Sequence, residues 1–339
     1  MSTRPAPAFW QSTTGWARAL APLSWLMCIL STVRRKAYKM GLLNTQTLPI
    51  PVIVVGNIAV GGSGKTPVVA YLVKALQAAG YRPGIISRGY GGQTKGPAMV
   101  QLTHAQASQC FGDEPVLLAQ LCKVPVAIGA KRPEAGQHLL ANHPDVNILI
   151  SDDGLQHYRL GRALELAVLD PATLGNHRLL PAGPLREPLK RLCELDLVLL
   201  HGGPYALPPG CAPHWPMQLA GQTFYALKDP TRTRQAQDFP SPVHAIAGIG
   251  RPERFFSQLE ALGLNIIRHP FADHHAFNAG DLPQNPSAPI IMTAKDAVKC
   301  QAFNVPDVWI FPVDAHIDPD AFQLILNKIK AWTPNSSKS

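Results

Sequence analysis

With 339 residues, 46% of them hydrophobic and 16% charged, the chain can bury one large core or two of ordinary size, and two domains are expected. A net charge of +9 points to an acidic partner: nucleic acid, an anionic membrane surface or a phosphorylated substrate. No RNA-binding aromatic signature, basic zipper or zinc-finger spacing occurs, so nucleic acid is set aside; the scattered cysteines at 28, 110, 122, 193, 211 and 300 exclude a disulfide framework and a cysteine zinc site.

In chain order, the first element is the uncharged run 19–33 (ALAPLSWLMCILSTV), followed at once by Arg34, Arg35, Lys36 and Lys39. It is shorter than the roughly 20 residues that cross a bilayer as a helix, and it contains Pro22. Its basic cluster follows the apolar run, the reverse of a secretory signal. The segment 1–45 therefore reads as an interfacial helix, with Trp16, Trp25, Leu26 and Ile29 in the lipid boundary and the cations on anionic headgroups. A helix packed on the protein's own core is the competing reading.

The apolar run 50–55 then breaks into GNIAVGGSGKTP, residues 56–67. A buried strand that ends in glycines and Lys-Thr presents backbone N–H groups, an ammonium and a hydroxyl to a triphosphate and its Mg²⁺. Gly61, Gly62, Ser63, Gly64, Lys65, Thr66 and Pro67 are the expected ATP contacts, although Ala59 stands where the full pattern has glycine. A helix over 67–79, closed by Gly80, puts the phosphate on its N-terminus.

Apolar runs at 52–55, 84–87, 124–128, 146–150, 166–169 and 197–200 alternate with helical or loop stretches, the pattern of an α/β domain with a mostly parallel sheet. Residues 201–242, rich in Pro, Gly and Gln, read as a junction. A second α/β stretch follows, with strands at 245–249, 266–269, 290–293 and 308–313 and a helix at 252–262. The expected domains are a membrane-associating helix (1–45), a nucleotide-binding core (46–225) and a smaller α/β domain (226–335); the tail after Trp332 reads as disordered.

Three clusters carry candidate chemistry. Asp152 and Asp153, after the strand at 146–150, are placed to meet the Mg²⁺ that Thr66 holds, though Asp-Asp-Gly also makes turns. Asp113 and Glu114 precede a helix at 115–121 and read either as N-terminal caps or as a base and a metal carboxylate. His274 and His275, in FADHH, read as a solvated loop or as an acid–base or orienting histidine; a metal site lacks its remaining ligands. Arg88, Arg132 and Arg186 sit in Gly- or Pro-rich loops and together favour a second anionic site. Thr293-Ala294-Lys295-Asp296 is close to a guanine-reading T-x-K-D motif, which keeps a GTPase or another P-loop ligase at the membrane open as an alternative.

Together GNIAVGGSGKTP, SRGYGG, GDEP, SDDGLQH, PAGPLREP, FADHH and TAKDAVKC, in this order from about Trp16 to Lys330, resemble the tetraacyldisaccharide 4′-kinase family, the lipid A 4′-kinases. The resemblance implies a P-loop NTPase core with a smaller C-terminal α/β domain across a hinge, at the cytoplasmic face of a Gram-negative inner membrane. The implied reaction moves the γ-phosphate of ATP to the 4′-hydroxyl of tetraacyldisaccharide 1-phosphate, with no obligate protein partner. By the same resemblance Lys65 holds the β- and γ-phosphates. Thr66 reaches Mg²⁺ with Asp152, Asp153 or Glu114, Asp113 accepts the hydroxyl proton, and His274 tunes it. Arg88, Arg132, Gln156, His157 and Arg186 line the phosphosugar side. Two departures are mild: Ser63 stands where the family more often has threonine, and Ala294 where it usually has glutamate.

Overall fold

The buried apolar runs assemble into two sheets in a computed structural model that describes residues 7–104, 106–283 and 288–333. The strands are β1 (Val52–Gly56), β2 (Pro83–Ser87), β3 (Ala98–Met99), β4 (Val126–Ile128), β5 (Ile148–Asp152), β6 (Leu164–Leu169), β7 (Leu197–His201), β8 (His214–Ala220), β9 (Phe224–Ala226), β10 (Thr233–Arg234), β11 (Val243–Ala247), β12 (Ile266–Pro270), β13 (Ile290–Thr293), β14 (Val308–Phe311) and β15 (Asp314–Ile317). The helices are α1 (Trp16–Ala19), α2 (Ala21–Lys39), α3 (Lys65–Ala78), α4 (Ala107–Phe111), α5 (Asp113–Cys122), α6 (Arg132–Asn142), α7 (Pro252–Ala261), α8 (Ala294–Cys300) and α9 (Pro319–Ala331).

The larger sheet runs β15-β8-β7-β6-β1-β5-β2-β4-β3 and the smaller β10-β9-β14-β13-β11-β12. Pairing from β8 to β4 is parallel throughout, with antiparallel strands β15 and β3 at the two edges. β1 is buried along its whole length between β5 and β6, in register Val55 with Asp152 and Gly56 with Ala167. Such a central strand needs apolar side chains on both faces, which is why VIVVG shows no polar alternation. A ligand crevice belongs at the carboxyl ends of these strands.

Three shifts from the expected boundaries matter for the site. α3 starts at Lys65, so Lys65 and Thr66 lie in its first turn. β5 extends to Asp152, which makes that carboxylate the last residue of a buried strand. α5 starts at Asp113, so both Asp113 and Glu114 are first-turn acids, well placed against the positive helix end.

The segment 201–242, read as a junction, contains β8, β9 and β10. The chain crosses from the larger to the smaller sheet at 221–223 and returns at 312–313. The expected 226–335 division placed β15 and α9 with the smaller unit; instead β15 pairs with β8, and Ala321, Ile325 and Ile329 of α9 pack into the core of the larger sheet beside Leu164 and Leu197. The physical reason is the apolar spacing of α9, one residue every turn, which covers a sheet face that would otherwise be wet. The expectation of a disordered tail falls mostly on 334–339, outside the described residues.

At the other end, Pro22 lies in the first turn of α2, where it breaks no hydrogen bond. Small residues face inward, with Ala17, Ala21 and Ser24 buried, while Trp16 (70%), Trp25 (69%) and Ile29 (59%) stay exposed. The Ser24 hydroxyl donates to the Leu179 carbonyl at 2.8 Å, and Arg35 pairs with Glu194 at 3.1 Å. Arg178 donates to the Ala17 carbonyl at 2.6 Å. α2 is therefore docked by polar contacts and small side chains, and its large apolar ones point away from the protein. Among the described residues no helix is long and apolar enough to cross a membrane.

Candidate active site

The loop between β1 and α3 is half closed. Ile58 and Ala59 are buried and pair with the 184–187 segment: Val60 N–H donates to the Pro184 carbonyl at 2.9 Å, and Arg186 N–H to the Ile58 carbonyl at 2.7 Å. Ala59 is thus accommodated where the full pattern has glycine, because it is spent on pairing. The open part is Gly61 and Gly62, ahead of buried Ser63. Gly64 caps α3 at φ +87°, and a Cβ there would lie 2.9 Å from Leu219, so only glycine fits.

Beside this helix end the two aspartates differ. Asp153, at φ +48°, accepts two hydrogen bonds from the Arg186 guanidinium at 2.8 and 3.1 Å and lies 3.5 Å from Lys65 Nζ. Burial pushes its carboxyl up, but Lys65, Arg186 and Arg132 outweigh that and hold it well below the usual carboxylate range. Asp152 accepts only the Ser87 hydroxyl at 3.3 Å among side chains, and burial, Glu114 and Asp153 push it up to about 7 against Lys65 and Arg132. Burial is the largest cause, with the Glu114 and Asp153 charges adding to it. No three His, Cys, Asp or Glu side chains among the described residues form a metal cage by themselves. The donor set is nevertheless the oxygen chemistry Mg²⁺ takes with a nucleotide, one or two carboxylates and a hydroxyl completed by phosphate and water.

The expected arginines separate. Arg88 is exposed; Arg186 is half-buried and tied to Asp153; Arg132 is buried, donating to the carbonyls of Gly129 at 2.8 Å and Asp152 at 3.2 Å. Burial lowers the Arg132 pKa to about 10 despite Asp152 and Asp153. The Gln156 amide donates to the Asn57 carbonyl and to Glu187, and His157, pushed down to about 4 by burial, Arg132 and Arg88, is a neutral ring at physiological pH. Arg34, Lys131, Arg132, His157 and Arg159 surround a cavity of about 160 Å³ between α2 and the start of α6. α2 is part of its wall, so this basic cavity abuts the apolar helix.

Facing the glycines from the smaller sheet is the 271–275 loop. A Cβ at Gly250, between β11 and α7, would lie 3.5 Å from the Asp273 carboxylate and 3.6 Å from the Gly62 nitrogen. The His274 ring lies 3.8 Å (Nδ1) from Asp113, and Lys299 lies 3.8 Å from the same carboxylate. Lys295 reaches Glu114 at 3.5 Å, Asp273 at 3.3 Å and His274 Nε2 at 3.2 Å. His275 points elsewhere, onto Asp281 at 3.0 Å and among Phe271 and Phe277, so only His274 meets Asp113. Gly112, at φ +94°, lets the SRGYGG loop pass in backbone contact with α5: a Cβ there would be 2.6 Å from the Tyr90 carbonyl.

The reading of Thr293–Asp296 as a guanine sensor does not survive. Asp296 is wholly buried, one oxygen accepting from Gly248 N–H (2.9 Å) and the Thr293 hydroxyl (2.6 Å), the other facing Lys299 (3.3 Å). The Thr293 hydroxyl in turn accepts from Asp296 N–H as the N-cap of α8, so both carboxylate oxygens are engaged inside the fold and none is left for a base. Residues that lie within the motifs but without an expected site role also contribute: Lys295, Lys299 and Asp273 on the smaller side, and buried Glu187, which accepts from the Tyr158 hydroxyl. Glu187 stood next to Arg186 within PAGPLREP, but its burial was not visible in the spacing. Asp170, buried at the end of β6, pairs with Arg251 at 2.8 Å and Arg254 at 2.6 Å. That cluster spans the two sheets.

A glycine loop feeding Lys-Thr at a helix N-terminus, beside a strand that ends in a buried aspartate, defines a P-loop nucleotide-binding α/β protein. The model of the LpxK family, tetraacyldisaccharide-1-P 4′-kinase, matches residues 16–330. A tetraacyldisaccharide 4′-kinase of Azoarcus sp. (strain BH72) is 54% identical over 331 residues, covering 97% of this chain and 96% of its own. One of Aromatoleum aromaticum is 51% identical, covering 98% and 99%. The crystal structure of an LpxK from Aquifex aeolicus in complex with ATP superposes with a TM-score of 0.81 at 30% identity, over 93% of this chain and all of that one. The chain belongs to the LpxK family of tetraacyldisaccharide-1-P 4′-kinases.

Proposed function

We propose that this chain transfers the γ-phosphoryl group of ATP to the 4′-hydroxyl of tetraacyldisaccharide 1-phosphate at the cytoplasmic face of a Gram-negative inner membrane. The observation that carries the reading is that Lys65 on α3 and Glu114, next to Asp113 on α5, both act on the buried Asp152 carboxyl, while Asp113 faces His274 at 3.8 Å. Phosphoryl transfer needs little covalent participation by the protein, so positioning and charge neutralisation are what these residues supply.

Lys65 and the N–H groups from Gly61 to Thr66, with Ser63 and Pro67 shaping the loop, hold the β- and γ-phosphates. Mg²⁺, held by Thr66 and Asp152 with Glu114 or Asp153 nearby, would neutralise charge on the transferring group. Asp113 accepts the hydroxyl proton as the acceptor oxygen attacks, and His274 orients that carboxylate. Arg186, Gln156, Arg88, His157 and Arg132 form the phosphosugar side, Arg132 as the buried support of the Asp152 backbone rather than by reaching out. The outward apolar side chains of α1 and α2, with Arg34, Lys36 and Lys39, support contact with an anionic membrane surface. The core at 46–225, completed by β15 and α9, and the smaller unit would close on each other across the two connections. This reading requires no protein partner.

The test is transfer of ³²P from γ-labelled ATP to tetraacyldisaccharide 1-phosphate in mixed micelles, beside the Asp113→Ala variant. Labelled lipid from the parent and little from the variant is the expected result. A folded, ATP-binding parent that labels no lipid sinks the proposal.

A further inference from the structure

On the assignment of Asp113 and His274 as the proton-accepting pair, we infer that Lys295 is a positioning residue that fixes the tautomer of His274. His274 meets Asp113 from α5, Lys295 from α8, Asp273 beside it and the Tyr90 ring from the loop after β2, while Glu114 of α5 stands against Lys295 and Lys299 of α8 against Asp113. Its two ring nitrogens face different partners. Nδ1 is turned to the Asp113 carboxylate at 3.8 Å, whereas Nε2 lies 3.2 Å from Lys295 Nζ, nearer than the Asp273 carboxylate at 3.9 Å, which Lys295 itself meets at 3.3 Å.

An ammonium has only protons to give. Nε2 must therefore accept, which leaves the ring proton on Nδ1, on the side of Asp113. The opposite tautomer would set N–H against N–H₃⁺ at Nε2 and a lone pair against a carboxylate at Nδ1, two repulsions in a half-buried site. Lys295 Nζ also stands 3.5 Å from Glu114 and 3.3 Å from Asp273, a carboxylate setting that suits an ammonium.

The consequence for the reaction is directional. With Nδ1–H facing it, Asp113 is held as an acceptor, and its other oxygen is left for the substrate hydroxyl. Because Lys295 occupies Nε2, the ring has no free acceptor nitrogen, so it orients Asp113 and does not itself take the proton. Lys299, 3.8 Å from Asp113 and 3.3 Å from Asp296, ties the same carboxylate to the first turn of α8. α8 thereby sets both members of the pair, although neither belongs to it.

The test uses the full chain labelled with ¹⁵N at histidine, the His274 signals being identified by their loss in His274→Asn. In the parent, His274 shows the Nδ1–H tautomer. Lys295→Met, which keeps the length and removes the donor, gives the Nε2–H form, a mixture, or the imidazolium. Its kcat falls roughly 10- to 100-fold, the usual loss when a group that orients an active-site histidine is removed, while KM for ATP stays within about twofold. Lys295→Arg, which keeps donor and charge, restores the Nδ1–H tautomer. An Nε2–H tautomer in the parent overturns the inference even if Lys295→Met does not fold, and so does an unchanged Nδ1–H signal in a folded Lys295→Met. Full activity of Asp113→Ala would instead sink the proton-acceptor assignment, a separate result read in the transfer assay.

Discussion

The phosphate side of the cleft is held within one sheet, whereas the acceptor side is assembled from two. Lys65, Asp152, Asp153 and Arg186 are fixed by β1, β5 and the 184–187 segment that pairs with the loop after β1, and their closest ion pair is 2.8 Å. Asp113, His274, Lys295 and Lys299 come from α5, the 271–275 loop and α8, and their ion pairs lie between 3.3 and 3.9 Å. Groups on adjacent strands of one buried sheet cannot move apart without breaking it. Groups that meet across two sheets stay adjustable, and catalytic hydrogen bonds of that kind tighten when substrate arrives. On the proposed roles, the phosphate side is organised in advance, and the acceptor side would be completed by closure.

The largest expected effect breaks the pre-organised side. Lys65→Ala and Asp152→Asn should each lower turnover by about 10³-fold or more, since both remove charge aimed at the transferring group. Circular dichroism should remain that of the parent; normal turnover in a folded variant removes the phosphate and metal assignments. Next comes the assembled side: Asp113→Ala should cost roughly 10²- to 10⁴-fold in kcat with ATP affinity nearly unchanged, the range for a lost general base.

A smaller effect addresses closure itself. Asp170 is buried beneath Arg251 and Arg254, and Asp170→Asn leaves two cations facing a neutral amide. Breaking the cluster should cost on the order of 3 kcal/mol, less where the arginines reach solvent, and should raise hydrogen exchange in α7 and around Gly250. Unchanged exchange there would mean that the cluster does not hold the smaller unit over the glycine loop. For the membrane contact, Trp25→Glu should weaken sedimentation with anionic liposomes roughly tenfold while ATP binding is kept; equal sedimentation counts against the outward face as an anchor.

The smallest effect separates function from stability. Because folding raises Asp152 from the ordinary carboxylate value to about 7, the folded parent holds a proton that the unfolded chain has released, and stability falls as pH rises across that window. Asp152→Asn should therefore be more stable than the parent at pH 8, by about 2 kcal/mol as an order of magnitude, and the gain should shrink toward pH 4. A variant that melts lower than the parent at pH 8 would assign Asp152 a structural role instead.

Much of this was legible along the chain. The all-apolar stretch before GNIAVGGSGKTP could only be a strand buried on both faces, and glycines before Lys-Thr could only serve a helix start. Both are short-range signals, set by backbone sterics and side-chain periodicity. The orientation of α2 was less legible, because its run is apolar nearly all round. Which residues turn outward depended on where Ser24 and Arg35 found Leu179 and Glu194, about 150 residues on.

By itself the sequence determined the P-loop, the alternating α/β order, the two acidic pairs and the family they resemble, because each is built from short local patterns, read singly or in order along the chain. Only the tertiary structure decided that β15 and α9 return to the first sheet, that His274 rather than His275 meets Asp113, and that the Asp296 carboxylate is engaged inside the fold. It also set Asp152 apart from Asp153. These outcomes depend on burial and on charges brought together from distant parts of the chain, and a carboxylate's behaviour is fixed by what surrounds it in space.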